Sequence, residues 1–286
     1  MSEAAPGREP APSPAGAVAL TGLAWSVMML VAVIATPATG GTLGLALGSA
    51  LGLGGAGTLA ARALPKPAER RIGLRGFAPR LLLPVLLLVP AVLLASELDN
   101  WIQRLFPAVE PADAAASDPA LGLAALELVL FIVLLRPVLE EFFFRGVIQQ
   151  GVAAALGPVR GVALTAVLFG LVRASFGLFD PYRVLSFGVQ AFLEGLLLGG
   201  LRLASGSILP CVLLQMLGGA AGFAALAWKE ALPIEGFNTG SGHTPLAWLA
   251  PAALSVALGV LLLARWHPEA GTFFKSSKPG PNDLTS

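Results

Sequence analysis

The feature that most constrains this chain is its succession of apolar runs, each about as long as a bilayer is thick. A helix needs about 20 predominantly apolar residues to cross the hydrocarbon core. Eight such runs stand at roughly 17–36, 40–61, 80–97, 121–148, 159–179, 184–203, 206–228 and 246–266. In lipid each must be helical, because no water is present to satisfy a free backbone amide or carbonyl. The expected fold class is therefore all-α, a polytopic membrane bundle of about eight helices. Composition agrees: 56% of the 286 residues are hydrophobic and 12% charged, against about 25% charged in a soluble domain.

Residues 1–16, "MSEAAPGREPAPSPAG", read as a disordered Pro/Ala-rich tail, and 276–286 as a polar one. The first apolar run is longer than the 7–15 residues of a signal-peptide core, so a retained helix is expected. Arg62, Lys66, Arg70, Arg71, Arg75 and Arg80 crowd the connection between runs two and three, which the positive-inside rule places in the cytoplasm. Alternation then puts both termini inside, and the loop with Glu97, Asp99, Glu110, Asp113 and Asp118 outside. The reading is an integral protein of a bacterial inner membrane. A net charge of +1 with no basic, aromatic-interleaved cluster speaks against nucleic-acid binding. One cysteine, Cys211, excludes an internal disulfide. Gly44, Gly48 and Gly52, four residues apart, predict close helix packing.

Charge inside the apolar runs is the exception that carries information. A charged residue at the bilayer centre costs about 2.5–3.5 kcal/mol on insertion scales and marks function or an internal pair. Run four carries Glu127, Arg136, Glu140, Glu141 and Arg145; run five carries Arg173, and run six Glu194. Gln215 adds a neutral polar group on run seven. Arg136 with Glu140, and Glu141 with Arg145, lie four apart and so on one helical face. Glu127 lies two heptads before Glu141 and is expected on its general face. Arg173 and Glu194 are expected to form a buried pair. Cys211 lies one turn before Gln215, but with no histidine nearby it reads as a small hydrophobe. Spacing alone leaves open whether these groups brace a bundle or perform chemistry.

"EEFFFRG" (140–146) resembles the EExxxR signature of the CPBP family, the CAAX-protease and bacteriocin-processing (Abi) intramembrane proteins. "AVLFGLVR" (166–173) falls where that family has an FxxxH helix, with Phe169 as its anchor. "FLEGLLLGGLRLASGSILPCVLLQMLGG" (192–219) resembles the two helices that follow. The resemblance covers about 121–228. It implies a core of four helices there; the apolar runs and charge placement add helices in 17–120 before it, and an outer loop and last helix (229–266) and a tail (267–286) after it. It implies a glutamic-type endopeptidase in which Glu140 activates water, Glu141 and Arg145 orient it, and helpers at 173, 215 and 219 polarise the substrate carbonyl. Its substrates would be hydrophobic, lipidated or membrane-anchored polypeptides.

The chain departs from that pattern at the helpers. Where the family has His, His and Asn or Asp, this sequence has Arg173, Gln215 and Gly219. Arginine cannot accept a proton, an amide cannot shuttle one, and glycine offers no side chain. The candidate site is therefore Glu140, Glu141, Arg145, Arg173 and Gln215, with impaired or altered catalysis. The alternative is a pseudoprotease that binds a membrane segment or partners an active paralogue; an unrelated transporter is a third class. The two histidines, His243 in the expected outer loop and His267 at the inner end of run eight, fall on opposite sides and supply no metal ligand set. No metal or other cofactor is expected.

Overall fold

The computed structural model describes residues 12–64, 67–106, 122–240 and 242–266. Among these the secondary structure is helical, apart from one isolated bridge between Glu235 and Thr239. The helices are α1 (Pro14–Thr39), α2 (Gly41–Arg62), α3 (Ala68–Ile72), α4 (Pro79–Gln103), α5 (122–156), α6 (Pro158–Ala174), α7 (Pro181–Ser205), α8 (Leu209–Ala227) and α9 (Leu246–Trp266). Seven of them (all but α3 and α5) are long and apolar enough to cross a membrane, α6 with its 3₁₀ extension to Gly177. The remaining expected span is α5, an unbroken helical run about 50 Å long at ~1.5 Å per residue. It carries most of the charges of the cluster, Arg136, Glu140, Glu141 and Arg145. The tail expected over 1–16 ends sooner, since α1 begins at Pro14, with the Ser13 side chain accepting from the Gly16 amide. Residues 1–11 and 267–286 lie outside the described residues, as do Lys66, Glu110, Asp113, Asp118 and His267.

Local sequence accounts for the breaks. Gly40, Gly157 and Gly206 take positive φ of 87°, 85° and 64° at the ends of α1, α5 and α7, where a Cβ would be strained. Pro158, Pro181 and Pro210 sit in the first turns of the helices that follow, where a missing amide N–H costs nothing. Within α2 and α5 the backbone widens into π turns at Ala50–Gly55, Leu130–Leu135 and Glu141–Ile148. Such turns are rare and concentrate at functional sites. The third begins at Glu141 and carries the motif on through Arg145, with Glu140 just before it.

Two apolar cores hold the bundle. One joins Ala24, Met28, Leu53, Phe143, Phe144, Ile148, Phe169 and Ala191, from α1, α2, α5, α6 and α7. The other joins Val85, Leu88, Leu198, Leu201, Cys211, Leu214 and Leu263, from α4, α7, α8 and α9. Cys211 is fully buried there, its thiol donating to the Leu198 carbonyl at 3.3 Å, as expected of a small hydrophobe. The polar motif lies along the seam between the cores, while Val33, Ile34 and Leu254 are exposed on the flanks, as lipid-facing residues would be.

The glycine repeat of α2 packs as its spacing predicts. A Cβ at Gly48 would come within 2.4 Å of the Met28 carbonyl oxygen, and one at Gly52 equally close to that of Ala24. α1 and α2 thus touch backbone to backbone. Gly52→Ala should force them apart at a cost of about 1–3 kcal/mol, whereas Gly41→Ala, with open space around it, should be neutral. Thermal unfolding of the purified protein in detergent checks the contrast: equal midpoints would contradict the close approach.

Candidate active site

The site is built on α5. Glu140 ends an α-helical stretch and Glu141 opens the π turn, so the adjacent carboxylates diverge toward different neighbours. Arg145 Nη1 donates to Glu141 Oε1 at 2.7 Å, with both side chains fully buried. Its Nη2 reaches the Gly195 carbonyl on α7 at 3.4 Å, and its guanidinium lies over the Phe169 ring, 4.5 Å from the centroid. One turn on, Gln149 Nε2 donates to the Gly199 carbonyl at 3.0 Å. Sequence reasoning passed over Gln149, although it extends the four-residue spacing of Glu141 and Arg145. The α7 glycines make this possible: a Cβ at Gly195 would sit 2.9 Å from Ala166, and one at Gly199 2.7 Å from Val162, so α6 and α7 run close together.

Arg173 enters from α6. Its Nε lies 3.2 Å from Glu140 Oε1, and its Nη2 donates to Glu140 Oε2 at 3.3 Å. Nη2 makes the one hydrogen bond of the pair, and Nε faces Oε1 as an ion-pair contact without hydrogen-bond geometry. The opposite face of the arrangement is Phe169, whose centroid is 5.3 Å from the Arg173 Cζ, so this ring is contacted by two cations. Arg136 approaches Glu140 more loosely, at 3.8 Å.

One expectation is corrected here. Arg173 pairs chiefly with Glu140, and Glu194 is a distant second at 4.0 Å with its side chain 39% exposed. Helix α6 aims the long arginine side chain at α5 before α7. Glu127 makes no ion pair or hydrogen bond among the described residues, and a π turn at Leu130–Leu135 separates it from Glu141. The whole cluster balances three guanidinium groups (Arg136, Arg145, Arg173) against three carboxylates (Glu140, Glu141, Glu194).

Gln215 on α8 closes the site, its Nε2 donating to Glu141 Oε1 at 2.8 Å. All five residues singled out from the sequence therefore meet in one cluster. Beside it opens a cavity of about 570 Å³, with Arg136, Gln190, Glu194, Gln215 and Gly219 along it and leucines of α4 opposite. It extends to Phe237 in the α8–α9 loop. Helix α5 runs from 122 to Leu156, which leaves Glu140 near its middle. Gly219 lines the cavity, and a Cβ there would meet Val133 at 3.5 Å and the Ile132 carbonyl oxygen at 3.8 Å, both ordinary contacts. Space for a side chain exists, and the sequence supplies none.

His243 is far from this chemistry. Its Nδ1 pairs with Glu97 Oε1 at 2.6 Å, and its ring packs 4.6 Å from that of Trp101. Glu97 Oε2 also accepts from the Thr244 amide, and Asn100 donates to the Gly236 carbonyl. These bonds clasp the α8–α9 loop to α4. A second polar group escaped sequence reasoning: Asp99 accepts from Tyr182, Ser186 and Gln190, tying α4 to α7. Helical spacing of Tyr182, Ser186 and Gln190 was the available signal. Among the described residues no three of the metal-binding types gather. Glu140 and Glu141, already faced by three guanidinium groups, do not fit a divalent cation.

Residues 122–221 match the family model for Rce1-like type II CAAX prenyl endopeptidases. The match runs from the start of α5 into α8 and bears out the resemblance carried by "EEFFFRG". No curated protein and no solved structure matches the chain. The matched region thus contains every member of the charge cluster and the Gly195 carbonyl that accepts from Arg145.

Breaking a buried pair by removing one partner costs about 3–5 kcal/mol, whereas an exposed, distant pair contributes about 0–1 kcal/mol. Arg173→Met should therefore destabilise strongly and Glu194→Gln weakly. Denaturant unfolding of both variants in mixed micelles checks the order; a larger loss for Glu194→Gln would contradict the assignment of Arg173 to Glu140.

Proposed function

We propose that this protein is a CAAX-protease-like protein of a bacterial inner membrane, with both termini in the cytoplasm, that binds a hydrophobic or lipidated polypeptide segment beside α5 and has impaired peptide hydrolysis. The observation that carries the reading is the Arg173–Glu140 ion pair. A general base must present a lone pair to the water it activates, whereas Glu140 Oε2 already accepts from Arg173 and Oε1 lies 3.2 Å from the Nε of the same cation, which can take no proton. A cation there can still stabilise an oxyanion. With glutamine at 215 and glycine at 219, however, the polar groups for a tetrahedral intermediate are depleted, and loss of one oxyanion donor alone costs about 10²–10³ in rate. Such a protein would act by holding its polypeptide ligand, alone or beside an active paralogue.

One feature favours residual proteolysis instead. Glu141 Oε2 is buried and has no hydrogen-bond partner, so it could orient a water where Glu140 cannot.

Deleting the gene and restoring it as wild type, Glu140→Gln or Glu141→Gln separates the readings. The measurement is the termini of membrane and exported proteins by mass spectrometry. The binding reading expects both variants, at normal expression, to restore the wild-type pattern. Accumulation of uncleaved precursors in the deletion and in either variant would overturn it in favour of hydrolysis.

A further inference from the structure

Two polar groups along the cavity are left without partners. Gln215 is 8% exposed, and its Oε1 makes no hydrogen bond. Its orientation is fixed from the other side: Glu141 Oε1 already accepts from Arg145, so the group that Gln215 turns to it is the amide N–H. The Gln215 oxygen is therefore a buried acceptor with nothing to accept. Arg136, also on the cavity, has a buried Nε–H with no acceptor, since Glu140 Oε1 at 3.8 Å is beyond hydrogen-bond length. Unmet groups of this kind each cost about 1–3 kcal/mol and are rare enough to require an explanation.

We infer that Gln215 and Arg136 together bind one peptide unit of an apolar segment lying in the cavity, Gln215 Oε1 accepting its N–H and Arg136 donating to a carbonyl. A ligand offering a donor and an acceptor in one planar group satisfies both orphans at once. The walls fit the same occupant. Gly218, Gly219 and Gly222 on α8 leave room for a backbone, and Leu88, Leu94 and Leu98 on α4 form an apolar face for side chains. A volume of about 570 Å³ lies in the range of sites that enclose a small ligand, enough for a short stretch of chain. The inference rests on the reading that the cavity holds a polypeptide, and adds which groups read its backbone. Gln215, in the place where the family has histidine, becomes a positioning residue for the ligand amide.

The test uses the full chain in lipid nanodiscs and a dansyl-tagged Leu-Ala-Leu-Val amide, with empty nanodiscs as the control. It is compared with three analogues in which each backbone N–H in turn is replaced by an ester oxygen. On the wild type, one analogue should bind about tenfold more weakly than the parent, and the others nearly as well. Gln215→Leu should abolish that discrimination, and Arg136→Met should weaken parent and analogues alike. If all analogues bind the wild type as the parent does, or if Gln215→Leu keeps the discrimination, the backbone-reading role is overturned while the proposed function stands. If the parent shows no saturable binding to the wild type, the polypeptide reading of the cavity falls and this inference with it. The wild-type comparison decides even if a variant fails to fold.

Discussion

A fully buried guanidinium sets the terms for the centre of this protein. Arg145 has no exposed surface, and an isolated charge in that position would cost far more than the fold could supply. Its surroundings are arranged accordingly: Glu141 for charge, the Phe169 ring for one face, and the Gly195 carbonyl for a further hydrogen bond. A carbonyl inside a transmembrane helix is normally enclosed by its own side chains. Glycine at 195 and 199 uncovers the α7 carbonyls and lets α6 come close, so the small residues of α7 and the long polar ones of α5 are two halves of one requirement.

The second constraint is charge balance. Adding Arg173 to a cluster already holding Arg136 and Arg145 would leave an excess of cations were Glu194 absent. Glu194 therefore acts through the balance of the whole group more than through a tight contact, which explains why it sits at the cavity edge and not on Arg173. Glu140, by contrast, lies close to two cations, accepting from Arg173 at 3.3 Å and facing Arg136 at 3.8 Å, so it ties α6 to α5 within the membrane-spanning part of the bundle.

Much of this was legible in the sequence. Apolar run length found every one of the long helices, though α5 runs on to Leu156, past the expected end at 148, and spacing of four found both α5 pairs, because helix geometry in lipid leaves the backbone few alternatives. What spacing could not supply was partner choice across helices. Arg173 reaches two carboxylates, and only the rotation of α6 against α5 and α7 decides between them. The π turns were equally hidden, and the local Glu141–Arg145 pair forms across one of them all the same. His243 and Asp99 were seen as loop charges, whereas their role depends on contacts between segments far apart in sequence.

The clasps at the two ends of the bundle bear on how the cavity behaves when empty. At one end Glu97, Asn100 and Asp99 fasten α4 to the α8–α9 loop and to α7. At the other, Arg202 donates to the Arg71 and Ile72 carbonyls, and Ser207 to that of Arg75, locking the α7–α8 turn to the segment before α4. A hollow pinned at top and bottom keeps its shape without an occupant. Its walls therefore lose little freedom when something enters, and the entropy of ordering falls almost wholly on the guest. Stiff guests, already extended in the bilayer, would be held more tightly than supple ones of the same composition.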